Sequence, residues 1–163
     1  MKTRDRRTRN VVPGGILAAC AMALLLVIPA CDQSATEVDD PHGEAAGVLI
    51  TDRLTGQLLA STELVAGAPQ WADGGVQLEV NEEITMDVTF VTEEGEVIAY
   101  AAGVQAMARL GTVAPEGVIE FESHVDHIDV EAVAPGSTQL VFMFWEDGEV
   151  TWESPPLPID VTD

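Results

Sequence analysis

Positive charge is almost missing from this 163-residue chain: 7 Lys+Arg stand against 28 Asp+Glu, for a formal net charge of −21. Lys2, Arg4, Arg6, Arg7 and Arg9 crowd the N-terminus, which leaves only Arg53 and Arg109 for everything that follows. With no basic patch to neutralise phosphates, nucleic acid is excluded as a partner. Recognisable catalytic patterns are missing too. There is no Gly-x-Ser-x-Gly elbow, no glycine-rich phosphate loop, and no serine placed near a histidine by a known spacing. Carboxylates are so abundant that a pair of them says nothing about acid–base work. The chain therefore reads as non-catalytic. Cysteine is scarce, with Cys20 and Cys31 alone. Hydrophobic residues, at 47%, are not scarce, so a core can form and global disorder is excluded. The length suits one domain with accessories.

The basic N-terminus runs into an apolar stretch, Ile16 to Ala30. At about 15 residues it has the length of a secretory signal, short of the roughly 20 that span a bilayer. It ends in Ile28-Pro29-Ala30-Cys31, followed at once by Asp32. This junction resembles a bacterial lipobox. The resemblance implies cleavage before Cys31 and a lipid on its thiol, hence a membrane-anchored protein of the bacterial cell envelope, on its periplasmic or surface side. Residues 1–30 are then a lipoprotein signal peptide, helical and discarded together with Cys20. Cys31 would be the one cysteine left, which precludes an intrachain disulfide. The alternatives are an ordinary cut near Ala30 with Cys31 a bystander, and twin-arginine export through Arg6-Arg7, although Thr8-Arg9-Asn10 match that motif poorly. Cleavage removes five cations and a single acid, Asp5, so the remainder carries a net charge of about −25.

Residues 31–46 form an acidic stretch with one sizeable aliphatic, Val38, and read as a flexible, disordered tether. From Gly47 to Asp163 short apolar or alternating segments are separated by turn signals, the pattern of an all-β sandwich. Val48-Leu49-Ile50 and Leu58-Leu59-Ala60 flank a turn at 54–57, which predicts a hairpin. A Gly/Pro-rich connection covers 66–75. The clearest period of two is Ile84, Met86, Val88 and Phe90 against Thr85, Asp87 and Thr89. Val97-Ile98-Ala99-Tyr100, Val118 to Phe121, and Ile128, Val130 and Ala132 follow as strands, and Val104 to Leu110 fits a strand or a short helix. Leu140 to Trp145 is continuously apolar, and Leu157, Ile159 and Val161 close the domain. Phe90, Val88, Val130 and Leu140 are expected in the core.

Ile128 to Phe142, an alternating strand running through Ala134-Pro135-Gly136-Ser137 into a second strand, resembles the late part of bacterial immunoglobulin-like domains of group 2. Val76 to Ile84 leading into Asp87-Val88-Thr89-Phe90 is similar to that family's opening strands, and Pro158 to Val161 to its last. The resemblance covers about residues 76–162. It implies an immunoglobulin-like β-sandwich without catalytic residues, used in contacts with protein or glycan partners. The hairpin at 48–60 lies outside the family pattern.

Three groups of side chains could carry chemistry. Glu146, Asp147 and Glu149 surround Gly148, and a similar acidic set surrounds Gly95. They read as solvated turns or as hard oxygen ligands for calcium, without the ligand spacing of an EF-hand. His124, Asp126 and His127 form a histidine cluster. On one straight strand His124 and His127 would face opposite ways, so they can share a zinc ion only if 122–127 turns, with Glu120, Glu122 or His42 as further ligands. Trp145 and Trp152 straddle the 146–149 turn and read as a contact surface if exposed, or as core. The sequence thus supports two functions: an envelope interaction module needing no cofactor, and a lipoprotein that binds divalent calcium or zinc.

Overall fold

The structure, a computed structural model, describes residues 43–72 and 74–163; the expected signal peptide, Cys31 and most of the expected tether lie outside that range. Eleven strands follow one another: β1 Gly47–Asp52, β2 Leu58–Val65, β3 Ala68–Trp71, β4 Val76–Glu79, β5 Glu83–Val91, β6 Val104–Leu110, β7 Ile119–Ser123, β8 His127–Ala132, β9 Gly136–Glu146, β10 Glu149–Glu153 and β11 Leu157–Thr162. Among the described residues there is no α-helix. The chain is all-β because its apolar residues recur every second position and bury one face of each strand. Phe90 and Leu140 are fully buried, and Val88 and Val130 nearly so, as the alternation predicts.

Two sheets result. One runs β3-β2-β1-β5-β8-β7, and the other runs β10-β9-β11-β4 with β6 on the far side of β9. Strand β4 lies parallel to β11, Ile159 opposite Val76, while the other named pairings are antiparallel. With β5, β8 and β7 in one layer and β6, β9 and β11 in the other, the arrangement is that of an immunoglobulin-like sandwich. The hairpin at 48–60 extends this frame. Strand β1 runs beside β5 from Gly47 opposite Val91 to Asp52 opposite Met86, and adds Val48 and Ile50 to the core.

Aromatic rings fill one end of the core. Phe90 meets Phe144, Trp152 and Tyr100 edge-on, at centroid distances of 4.9, 5.8 and 6.4 Å. Trp71 packs edge-on against Phe142 at 6.2 Å, and its indole N–H donates to the Pro155 carbonyl at 2.9 Å. One strand therefore lies within the connection at 66–75: Ala66 and Gly67 turn the chain back, and β3 pairs with the end of β2 so that Trp71 reaches the core.

Of two further segments, one resolves an open alternative and one differs from its sequence expectation. Val104 to Leu110 is a strand, drawn out by seven register pairs with β9 from Glu146 to Leu140. Val97 to Tyr100 is not one; it makes a single bridge, Val97 to Val91, and an Ile98 N–H bond to Phe90. The reason is that β5 is already occupied there. Its Val88 amide donates to the Asp126 carbonyl at 3.0 Å, and its Val88 carbonyl accepts the Tyr100 hydroxyl.

The β7–β8 hairpin also closes the open side of β6. Ala106 N–H donates to the Val125 carbonyl at 2.7 Å and Ala108 N–H to Ser123 Oγ at 3.0 Å. Covering an exposed strand edge in this way blocks pairing with other chains. It also fixes the tip of the hairpin, and the histidines stand on that tip.

Candidate metal centre

The turn that chelation requires is present. The chain reverses at Val125-Asp126, and His124 N–H donates to the His127 carbonyl at 2.8 Å. His124, just past the end of β7, and His127, the first residue of β8, thus stand side by side on one face, where a continuous strand would have separated them. Their rings stack at a centroid distance of 4.4 Å and an interplanar angle of 13°. The period of two along β8 then places Asp129 on the same face as His127. Ligand atoms of His124, His127 and Asp129 all fall within 4.8 Å of one another. Among the described residues this is the one group of three such side chains that could share an ion.

Two of the three members are held from behind. His127 Nδ1 lies 2.7 Å from Asp126 Oδ1. An ionised carboxylate can only accept, so Nδ1 carries the proton and Nε2 of the neutral ring keeps its lone pair. Asp126 is in turn held by Arg53, 3.1 Å from Oδ2, and Arg53 also reaches Asp87 at 3.0 Å. Thr85 donates its hydroxyl to Asp129 Oδ1 at 2.6 Å, which leaves Oδ2 facing His124 Nε2 at 3.1 Å. The hydrogen bond from His127, aided by the Arg53 charge, lowers the Asp126 pKa below the usual carboxylate value. The Thr85 hydroxyl, together with the nearby imidazoles, does the same for Asp129. Both groups therefore stay charged at neutral pH, as ligands or their supports must.

Strand register explains the neighbourhood. Across β5 and β8, Asp87 stands opposite His127, Thr85 opposite Asp129, and Glu83 opposite Glu131; across β8 and β7, Glu122 stands opposite Asp129 and Glu120 opposite Glu131. Of the further zinc ligands considered above, Glu122 and Glu120 thus share this face, while His42 lies outside the described residues. Asp129, Thr85 and Arg53 were not among the sequence candidates. Asp129 had a signal, since it sits two residues beyond His127 on an alternating strand. Arg53 had none, because it arrives from the β1–β2 turn, 73 residues from Asp126.

The second acidic group is arranged differently. Asp147 and Gly148 form a two-residue turn with φ of 49° and 96°, and Glu146 pairs with Glu149 across it. Positive φ at both central positions is the twist that a tight hairpin needs. Asp147 lies over Gly103, donating its N–H to the Gly103 carbonyl at 3.0 Å. The three carboxylates make no three-ligand group among the described residues.

The two tryptophans part company. A register shift between Val150 and Trp152 puts Trp152 opposite Phe144, on the core side against Phe90. Trp145 stays on the outer face of the sheet, half-buried, opposite Gln105 and Val150. No protein-family model and no curated protein matches this chain.

Proposed function

We propose that this chain is a non-catalytic interaction module of the bacterial cell envelope, an immunoglobulin-like domain of the group 2 kind carried on a lipid at Cys31. The outer face of β9 carries the reading. Strands of a two-layer sandwich normally turn polar residues outward. On β9 the inward Leu140, Phe142 and Phe144 alternate with Val141, Met143 and Trp145, which are apolar as well. Val141 and Met143 are 2% and 8% exposed although they lie outside the core cluster. Met107 and Arg109 of β6 stand opposite them, and Val150 of β10 stands opposite Trp145. The half-buried Trp145 ring and the exposed Val150 opposite it, seated on that buried strip, supply a contact surface for protein or glycan. The lipid would keep this face within reach of envelope partners.

Photo-crosslinking in intact cells tests the surface. A photoreactive residue in place of Trp145 is expected to give a discrete adduct, and one in place of Glu131 on the opposite sheet is expected to give none. Equal labelling at both positions, or none at Trp145, rejects the β9 surface. The anchor is tested separately: Cys31→Ser is expected to leave the membrane fraction or to accumulate unprocessed, and unchanged fractionation and processing reject it.

A further inference from the structure

We propose that His124, His127 and Asp129 bind a divalent transition metal, zinc being the committed ion, with Asp126 as the residue that positions His127. The proposal stands apart from the envelope reading and concerns the opposite sheet. Donor chemistry selects the metal class. Two imidazole nitrogens with one carboxylate oxygen suit zinc and its first-row neighbours, whereas calcium and magnesium take sets made of oxygen. The ligand atoms are already within 4.8 Å of one another. One zinc ion with bonds of about 2.0–2.2 Å can bridge atoms up to about 4 Å apart, so small side-chain rotations close the site. When zinc enters, the contact of His124 Nε2 with Asp129 Oδ2 gives way to two bonds to the ion, and any proton between them leaves.

The support behind the ligands sets this group apart from a chance meeting of polar residues. Metal-bound histidines characteristically donate their other ring N–H to a carboxylate, which fixes the tautomer and raises ligand basicity. Asp126 Oδ1 fills that place for His127 at 2.7 Å. Arg53 holds Asp126 from behind, and Thr85 orients Asp129 through the oxygen that faces away from His124. Three protein ligands leave one position of a tetrahedral zinc open to water or to Glu122, which stands opposite Asp129. The site also has a mechanical consequence. It joins the end of β7 to the start of β8 at the tip that caps β6 through Val125, so a bound ion stabilises that closure.

The test uses the full chain in detergent, cleared of metal and titrated at fixed ionic strength with zinc chloride or calcium chloride. Zinc at about a hundredfold excess over its Kd should raise the melting temperature by about 5–10 °C. Calcium at the same concentration should not. The double variant His124→Gln with His127→Gln should lose the zinc shift, and the single variant His124→Gln should weaken it strongly with the apo melt preserved. Asp126→Asn should weaken zinc binding by roughly tenfold to a hundredfold. Cobalt should give the same ligand-field absorption in this variant as in the wild type, because a positioning residue lies outside the coordination sphere. The proposal is overturned if calcium matches zinc, if the double variant keeps the shift, or if zinc produces no shift at all.

Discussion

Two hairpin tips, each carrying acid at its turn, behave as opposites. His124 to His127 and Glu146 to Glu149 each reverse the chain within two residues, and each carries acids at the turn. The first is bolted to the body. Its Val125 carbonyl accepts from Ala106, its Asp126 carbonyl from Val88, and its Asp126 carboxylate from Arg53. In the second, Asp147 N–H donates to the Gly103 carbonyl, and Asp147, Gly148 and Glu149 are exposed. Acid content is therefore a poor guide to a site in this chain. What separates the tips is whether neighbouring strands bring fixed partners to the carboxylates. Fixed hydrogen-bond and ion-pair partners make a carboxylate specific, whereas a solvated one is screened and mobile.

The comparison can be broken first at its floor. Phe90 is fully buried and touches Phe144 and Trp152 beneath the second tip and Tyr100 near the first. Phe90→Ala removes a large ring from a dense core and should cost about 3–5 kcal/mol in urea unfolding. Both tips should loosen together. A loss below about 1 kcal/mol would mean that the tips do not share one cooperative core.

Tyr100 separates the two regions next. Its hydroxyl donates to the Val88 carbonyl, beside the Asp126 bond that anchors the histidine tip. Tyr100→Phe should cost about 1–2 kcal/mol at neutral pH by removing that donor. Burial, reinforced by Asp126 and Asp87, drives the phenol pKa far above its usual value of 10.0. A folded pKa above the unfolded one means that this contribution is complete below pH 10 and is lost as the pH rises beyond it, because only the unfolded chain ionises. Wild type should therefore lose stability above pH 10 faster than Tyr100→Phe. Parallel alkaline melts of the two proteins would show instead that the phenol is not held in its neutral form.

Much of the frame was legible in the sequence because burial follows period two so closely. Met86, Val88 and Phe90 face inward as read, and so do Ile128 and Val130. Gly148 announced its turn through the positive φ that glycine supplies. Long-range facts were not legible. That β1 would join β5, that Ala68–Trp71 would form a strand, and that Val104–Leu110 would extend rather than coil each depended on a partner strand distant in sequence. The register shift before Trp152 left no mark either, although it decides which tryptophan faces the core. The histidine pair was half legible: the spacing of three was plain, but its meaning hung on a turn at Val125-Asp126 that contains no glycine, proline or asparagine.

Gly148→Ala probes the second tip alone. A Cβ there would meet nothing within 4 Å, so the cost is conformational, through φ of 96°. We expect a loss of about 1 kcal/mol. The zinc response should remain that of wild type. A change in zinc affinity would show that the two tips are coupled.

The smallest effect belongs to charge removal at the exposed tip. Asp147→Asn with Glu149→Gln takes two negative charges from a body that holds only Arg53 and Arg109 against its acids. Asparagine tolerates the left-handed φ of 49° at position 147 as well as aspartate does. The melting temperature should therefore stay level or rise slightly, within about 0.5 kcal/mol, and the small gain should shrink in high salt as screening replaces it. The matching change at the first tip, Asp126→Asn with Asp129→Asn, should behave differently. It removes carboxylates that Arg53, Thr85 and both histidines contact, so salt should not compensate for it and the zinc shift should go. If both double variants gave the same small, salt-dependent change and the same metal response, the distinction between a built cluster and a solvated acidic turn would fail.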